Sequence, residues 1–142
     1  LLILGEGELR AEFEALVVDL GLKDVVDLPG FDANPYAYFK YASLFVLSSN
    51  WEGLPGVLIQ ALASKVKVVS TNCPSGPMEI LENSKFGLLV ECNDQVGLTQ
   101  AMQQAIFADY VQYQNADFEM HIQQFHKQTV LKQYLRMMES AA

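Results

Sequence analysis

Cationic side chains are scarce in this chain of 142 residues: nine Lys and Arg stand against seventeen Asp and Glu, for a net charge of −8. The nine are scattered, which excludes a nucleic-acid surface. Any phosphate site must therefore rely on backbone dipoles with one or two local cations. Cysteine is rarer still. Cys73 and Cys92 form no C-x-x-C pair, and a reduced cytoplasmic compartment is the expectation. The apolar runs fall far short of a membrane span, no signal-peptide pattern opens the chain, and internal repeats, low-complexity segments and linkers are absent. His121 and His126 are spaced so that they share no helix face and have no third ligand nearby, so no metal is expected there. What is present is apolar: 51% of residues, with 18% charged, enough for one globular domain with a sizeable core. The chain opens Leu1-Leu2-Ile3-Leu4, mid-strand and without Met, as an excerpt from a longer polypeptide would.

Short apolar runs and helical periodicity predict alternating strands and helices. Leu1–Leu4 reads as a buried strand ending at the tight turn Gly5-Glu6-Gly7. That turn lacks the third glycine of a dinucleotide fingerprint, and its Glu6 and Glu8 would repel a pyrophosphate. Helix Glu8–Leu20 follows, with an apolar face at Leu9, Phe13, Leu16, Val17 and Leu20 and with Gly21 placed to end it. Further strands are expected at Val25–Leu28, Leu44–Leu47, Lys67–Thr71 and Gly87–Glu91, and shorter helices at Pro35–Tyr41 and Met78–Glu82. Asp94 should cap a helix Gln95–Ala108, and one long helix, about Asp117–Met138, should close the chain. Its stripe of Ile122, Phe125, Val130, Leu131, Tyr134 and Leu135 packs on its own domain in the simple reading. Five buried strands separated by helices imply an α/β fold, a parallel Rossmann-like sheet with helices on both faces.

The stretch Leu44–Ala63 organises the rest: an apolar strand, a turn carrying Trp51-Glu52-Gly53, then a helix. Pro55 suits the first helical position, and Leu54, Val57, Leu58, Ala61 and Leu62 form its buried stripe. Gly56, Gln60 and Ser64 leave a separate small or polar stripe. A helix N-terminus with free N–H groups and no side chains in the way suits an anion, most naturally a phosphate.

The run Glu52-Gly53-Leu54-Pro55-Gly56-Val57-Leu58-Ile59-Gln60-Ala61 resembles the Glu-x7-Glu signature of the group 1, GT-B type retaining glycosyltransferases, with Gln60 in place of the second Glu. The resemblance continues through Val68–Thr71, Cys73–Leu81 and Gly87–Val90. It implies the carboxyl-terminal, donor-binding domain of a larger enzyme, spanning residues 1–142, with strands in the order 2-1-3-4-5. An earlier strand and helix and the amino-terminal domain would lie outside it. Strand 1 would then either close onto strand 3 or need the earlier strand between them.

By the same resemblance Glu52 touches the transferred sugar or adjoining phosphate, although a first-turn Glu also simply complements a helix dipole. Gln60 would contact the ribose through a neutral amide where the family uses a charged group, which weakens the bond; a solvated helix Gln is the plain reading. Gly53, Leu54, Pro55 and Gly56 would cradle the diphosphate, with no N–H from Pro55. Ser75 and Gly76 would form a second loop with Glu79 near the sugar, besides capping a helix, and Gly30 and Phe31 would receive the base through backbone contacts. The implied activity is transfer of a hexose or N-acetylhexosamine from a nucleotide sugar, with UDP expected, to a glycan or lipid-linked acceptor. No cofactor or metal is expected, in keeping with the lack of a D-x-D motif. The amino-terminal domain is the implied partner, and the cytoplasmic face of a membrane the implied location, by peripheral association. Catalysis would need both domains, and the fragment alone would be inactive. The stated alternatives are a nucleotide-sugar epimerase or phosphorylase of the same fold, a non-catalytic module with a degraded site, for which Gln60 speaks, and a flavodoxin-like or receiver domain, disfavoured because no acidic cluster follows strand 1.

Overall fold

A computed structural model describes residues 1–107 and 115–140. The described chain forms two compact units, Leu1–Ala37 and Tyr38–Ala142.

In the first unit β1 (Leu2–Leu4) and β2 (Asp27–Gly30) pair in parallel, joined by α1 (Arg10–Asp19). α1 ends as its sequence predicts. Gly21 takes φ +66°, its N–H reaches Val18 O at 3.0 Å, and Leu22 N–H reaches Val17 O at 2.8 Å, the double bond of a Schellman motif. Arg10 ties the unit together: it donates to Glu6 and Glu14 carboxylates at 2.6 and 2.7 Å and to Leu28 O at 2.7 Å. Glu6 is thus held by an ion pair, which fits a structural turn. Two expectations fail here. β1 is exposed rather than buried, and α1 buries no residue, with Phe13, Leu16 and Leu20 all about half exposed or more. A ribbon of two strands with one helix has too few elements to cover either face, so correct periodicity does not become burial. Pro29 and Gly30 lie within β2 instead of closing it; β2 is an edge strand, where a missing N–H is tolerated.

The boundary falls within α2 (Tyr36–Phe39), and in the second unit β3 (Phe45–Leu47), β4 (Val68–Thr71) and β5 (Leu88–Val90) form a parallel sheet in that order. The register pairs Leu47 with Ser70 and Thr71 with Val90. β4 is central, and all four of its residues are buried. Its alternation feeds two cores. Val68 joins Leu58, Leu62, Ile80, Phe86 and Phe118 on one face, beneath α3 (Gly56–Ala63), α4 (Pro77–Ile80) and α6 (Ala116–Gln123). Val69 meets Val90, Ala101 and Ala105 beneath α5 (Gln95–Phe107) on the other. Helices therefore cover both faces, as expected of a Rossmann-like α/β layer. The expected order 2-1-3-4-5 appears as two parallel sheets, β1-β2 and β3-β4-β5, and a β1–β3 ladder is not among the described pairings.

Asp94 caps α5 through Gly97 N–H at 2.8 Å, and Ala108 lies outside the described residues. The single closing helix is corrected to two, α6 and α7 (Lys127–Ser140). Between them Phe125 and His126 donate to Ile122 and Gln123 carbonyls three residues back, so the turn tightens while Phe125 packs against the core. No residue of α7 is fully buried: Val130 is half-buried, while Leu131, Tyr134 and Leu135 stay about half exposed or more, so of the stripe Ile122 and Phe125 pack against the core as expected. No helix among the described residues is long and apolar enough to cross a membrane.

Candidate functional site

The carboxyl end of β3 runs into Ser49 and Glu52, and α3 starts four residues later. Pro55 is the N-cap, at φ −68° and ψ 98°, instead of the first helical residue; its missing N–H is as harmless there. No side chain caps α3, and the first bonds are donated by Leu58 and Ile59 to Pro55 O. The N–H groups of Gly56 and Val57 therefore stand ahead of the helical ladder at the positive end of the helix dipole. A Cβ built on Gly53 or Gly56 would meet nothing within 4 Å. The turn is open.

Glu52, half-buried, accepts a hydrogen bond from Ser49 Oγ at 2.7 Å. Gly76 closes the opposite side. It is buried, takes φ +84°, and a Cβ there would strike the Gly53 carbonyl and the Pro55 ring. Only glycine lets the α4 loop approach the α3 turn this closely. Gly76 is also the N-cap of α4, with Pro77 at the first helical position, while Ser75 is exposed at φ +69° and makes no cap. Of the expected α3 stripe, Leu58, Ala61 and Leu62 are buried, but Leu54 is 56% exposed at the turn. Gln60 is half-buried on the same outward row as Gly56.

The structure thus gathers Glu52, Gly53, Leu54, Pro55, Gly56 and Gly76 around one turn. Gly30 and Phe31 belong to the other unit, where Gly30 is buried at φ +90° against the Glu6 carboxylate and Phe31 is 77% exposed. Glu79 lines a separate shallow groove with Lys85, Asp117 and His121. His121 uses both ring nitrogens: Nε2–H donates to Ile80 O at 2.7 Å, and Nδ1 faces Gln124 Nε2 at 2.9 Å.

Sequence reasoning missed Ser49 and Cys73 beside Glu52, and Thr71 and Cys92 behind Ser49. The available signal was a polar residue closing an apolar strand. Thr71, 4% exposed, donates its hydroxyl to Ser49 O at 2.5 Å, and Cys92 Sγ lies 3.9 Å from the same oxygen. Burial first, then Cys92 and the Glu52 carboxylate, pushes the Cys73 thiol above its ordinary 9.0, against the amides of Cys73 and Glu52. Iodoacetamide at pH 8 should therefore label Cys92 well before Cys73 in the native protein, read by peptide mass mapping; equal rates would contradict this burial. The sign for stability is likewise fixed. The thiol's contribution is whole below pH 9.0 and is lost as pH rises through the higher folded value, because the unfolded chain releases that proton first.

A family model described as glycosyl transferases group 1 matches residues 1–116. Over 102 residues the chain is 42% identical to an N-acetylgalactosamine-N,N'-diacetylbacillosaminyl-diphospho-undecaprenol 4-alpha-N-acetylgalactosaminyltransferase of Campylobacter jejuni, covering 72% of this chain and 28% of that enzyme. It is 46% identical over 81 residues to an uncharacterized glycosyltransferase of Methanocaldococcus jannaschii, covering 57% of this chain and 20% of the relative. The matched stretch thus spans less than a third of the length of either relative. Among solved structures, a Staphylococcus aureus TarM variant in complex with Fondaparinux, alpha-GlcNAc-glycerol and UDP superposes with a TM-score of 0.83 at 25% identity, over 95% of this chain and 28% of that one. Anabaena HepE in complex with UDP gives 0.78 at 18% identity, over 98% and 40%, a likeness of fold alone.

Proposed function

Because this chain belongs to the group 1 glycosyl transferases, we propose that it is the donor-binding domain of a larger enzyme that transfers a hexose or N-acetylhexosamine from a UDP-sugar, with retention, to a glycan or lipid-linked acceptor. The observation that carries the reading is the open turn at Gly53–Gly56, with free amides at the head of α3 and Glu52 beside them. Departure of a nucleoside diphosphate builds negative charge on the leaving oxygens, and aligned N–H groups stabilise that charge without reorganising. In a chain with net charge −8, backbone dipoles suit this work better than side-chain cations. Glu52 accepts hydrogen bonds from sugar hydroxyls, and Gln60, one turn along the same row, takes the ribose through a neutral amide. The lipid-linked acceptor finds support in the name of the Campylobacter relative, and UDP in the TarM complex.

The test is calorimetric titration of the protein containing this chain with UDP, UDP-glucose and UDP-N-acetylglucosamine, for wild type and Gly56→Leu. Open space around Gly56 means the variant should fold normally, while its side chain would occupy the anion position. Binding weakened by about 10-fold or more is expected, the loss of at least one charge-assisted hydrogen bond. Unchanged UDP affinity in Gly56→Leu would overturn the reading. Gln60 favours one other possibility, a non-catalytic nucleotide-sugar-binding module. In that case Gln60→Glu would tighten UDP binding, yet no transfer would be measured from the intact wild-type protein.

A further inference from the structure

We infer that Ser49, held in place by Thr71, is a positioning residue that fixes the Glu52 carboxylate for the donor sugar. The inference rests on Glu52 being the donor-contacting group proposed above. Ser49 has one hydroxyl proton, and it goes to Glu52 Oε1 at 2.7 Å. One carboxylate oxygen is thereby pinned; among the described residues no hydrogen bond reaches Oε2, which together with the remaining lone pair of Oε1 can serve a ligand.

Ser49 itself lies beyond the last residue of β3, where a chain is ordinarily free to move. Here it is not. Thr71 ends the central strand, is 4% exposed, and donates its single proton to the Ser49 carbonyl at 2.5 Å, with Leu47 O a more distant neighbour at 3.3 Å. Cys92 Sγ, from just past β5, approaches the same carbonyl at 3.9 Å. The Ser49 backbone is thus held by the last residue of β4 and approached by a residue just past β5, and its side chain passes that fixed position on to Glu52. A Glu with three rotatable bonds on an exposed turn would otherwise sample several rotamers, few of which suit a sugar hydroxyl. The sheet lends its rigidity to the carboxylate.

The test is steady-state transfer by the intact enzyme containing this chain, with a UDP-sugar donor, for Ser49→Ala, Ser49→Thr, Glu52→Ala and the double variant Ser49→Ala with Glu52→Ala. UDP affinity is followed alongside by calorimetry. Ser49→Ala should lower kcat about 10-fold, the effect of one hydrogen bond to a charged group, with UDP affinity little changed. Ser49→Thr, which keeps the hydroxyl, should recover most of the loss. In the Glu52→Ala background, Ser49→Ala should cost less than about 2-fold more, because its route to the substrate has gone. A full second loss in that background would show that Ser49 acts independently of Glu52 and would overturn the inference, as would unchanged kcat in Ser49→Ala. If Glu52→Ala itself leaves transfer intact, the role given to Glu52 fails first and the positioning of it falls with it, a result distinct from either of the others.

Discussion

Replacing Glu52 with Ala is expected to lower sugar transfer by the intact enzyme about 100-fold or more while leaving the fold in place. The magnitude is that of two charge-assisted hydrogen bonds, the contact proposed for Glu52 with the donor, at about 1.5–3 kcal/mol each. The fold is spared because Glu52 is only half-buried and its side chain's one described hydrogen bond is accepted from Ser49, so thermal unfolding should shift by no more than a degree or two. Glu52→Gln separates charge from shape: it keeps the length and one acceptor oxygen, and should retain part of the activity that Ala loses. Steady-state kinetics beside a melting curve decides the matter. A variant with normal transfer would reduce Glu52 to a complement of the α3 dipole, the plainer reading that its position always allowed.

Phe118→Ala should cost about 3–5 kcal/mol of stability, a large share of the roughly 5–15 kcal/mol that holds a domain together. Phe118 is 1% exposed and meets Phe86 edge to face, ring centres 5.4 Å apart. It anchors α6 in the core shared by α3, β4 and α4, while Asn115 caps that helix by accepting from Phe118 N–H at 2.9 Å. The match to the family model ends at residue 116, just short of this anchor. Urea unfolding followed by circular dichroism is the measurement. A loss under about 1 kcal/mol would mean that α6 adds little to the core.

Much of the architecture was legible in order but not in burial. Short apolar runs located every strand, and the 3.6-residue period most helices, to within a few residues, because both patterns are written locally whatever the neighbours. Burial needs a partner layer. Leu1–Leu4 is wholly aliphatic and Val68–Thr71 only half so, yet β1 is exposed and β4 wholly enclosed. The difference is position: β4 has a strand on each side and helices on each face, while β1 pairs with β2 alone in its sheet. The same holds for the closing helix. Its stripe continued without a break in sequence, and the break at 124–126 arises where Phe125 turns in to meet the core.

For the candidate site, the amino-acid sequence by itself determined the glycine-bordered turn, the carboxylate before it and the helix behind it. All three lie within one short stretch, and local chemistry suffices to write them. Tertiary structure alone decided what surrounds that turn. Gly76 must be glycine because another loop presses on it, and Thr71 reaches Ser49 across 22 residues of chain only because β3 and β4 pair in the register that sets Leu47 opposite Ser70. Hydrogen bonds between residues so far apart leave no periodic trace; they exist only once the sheet has set its register.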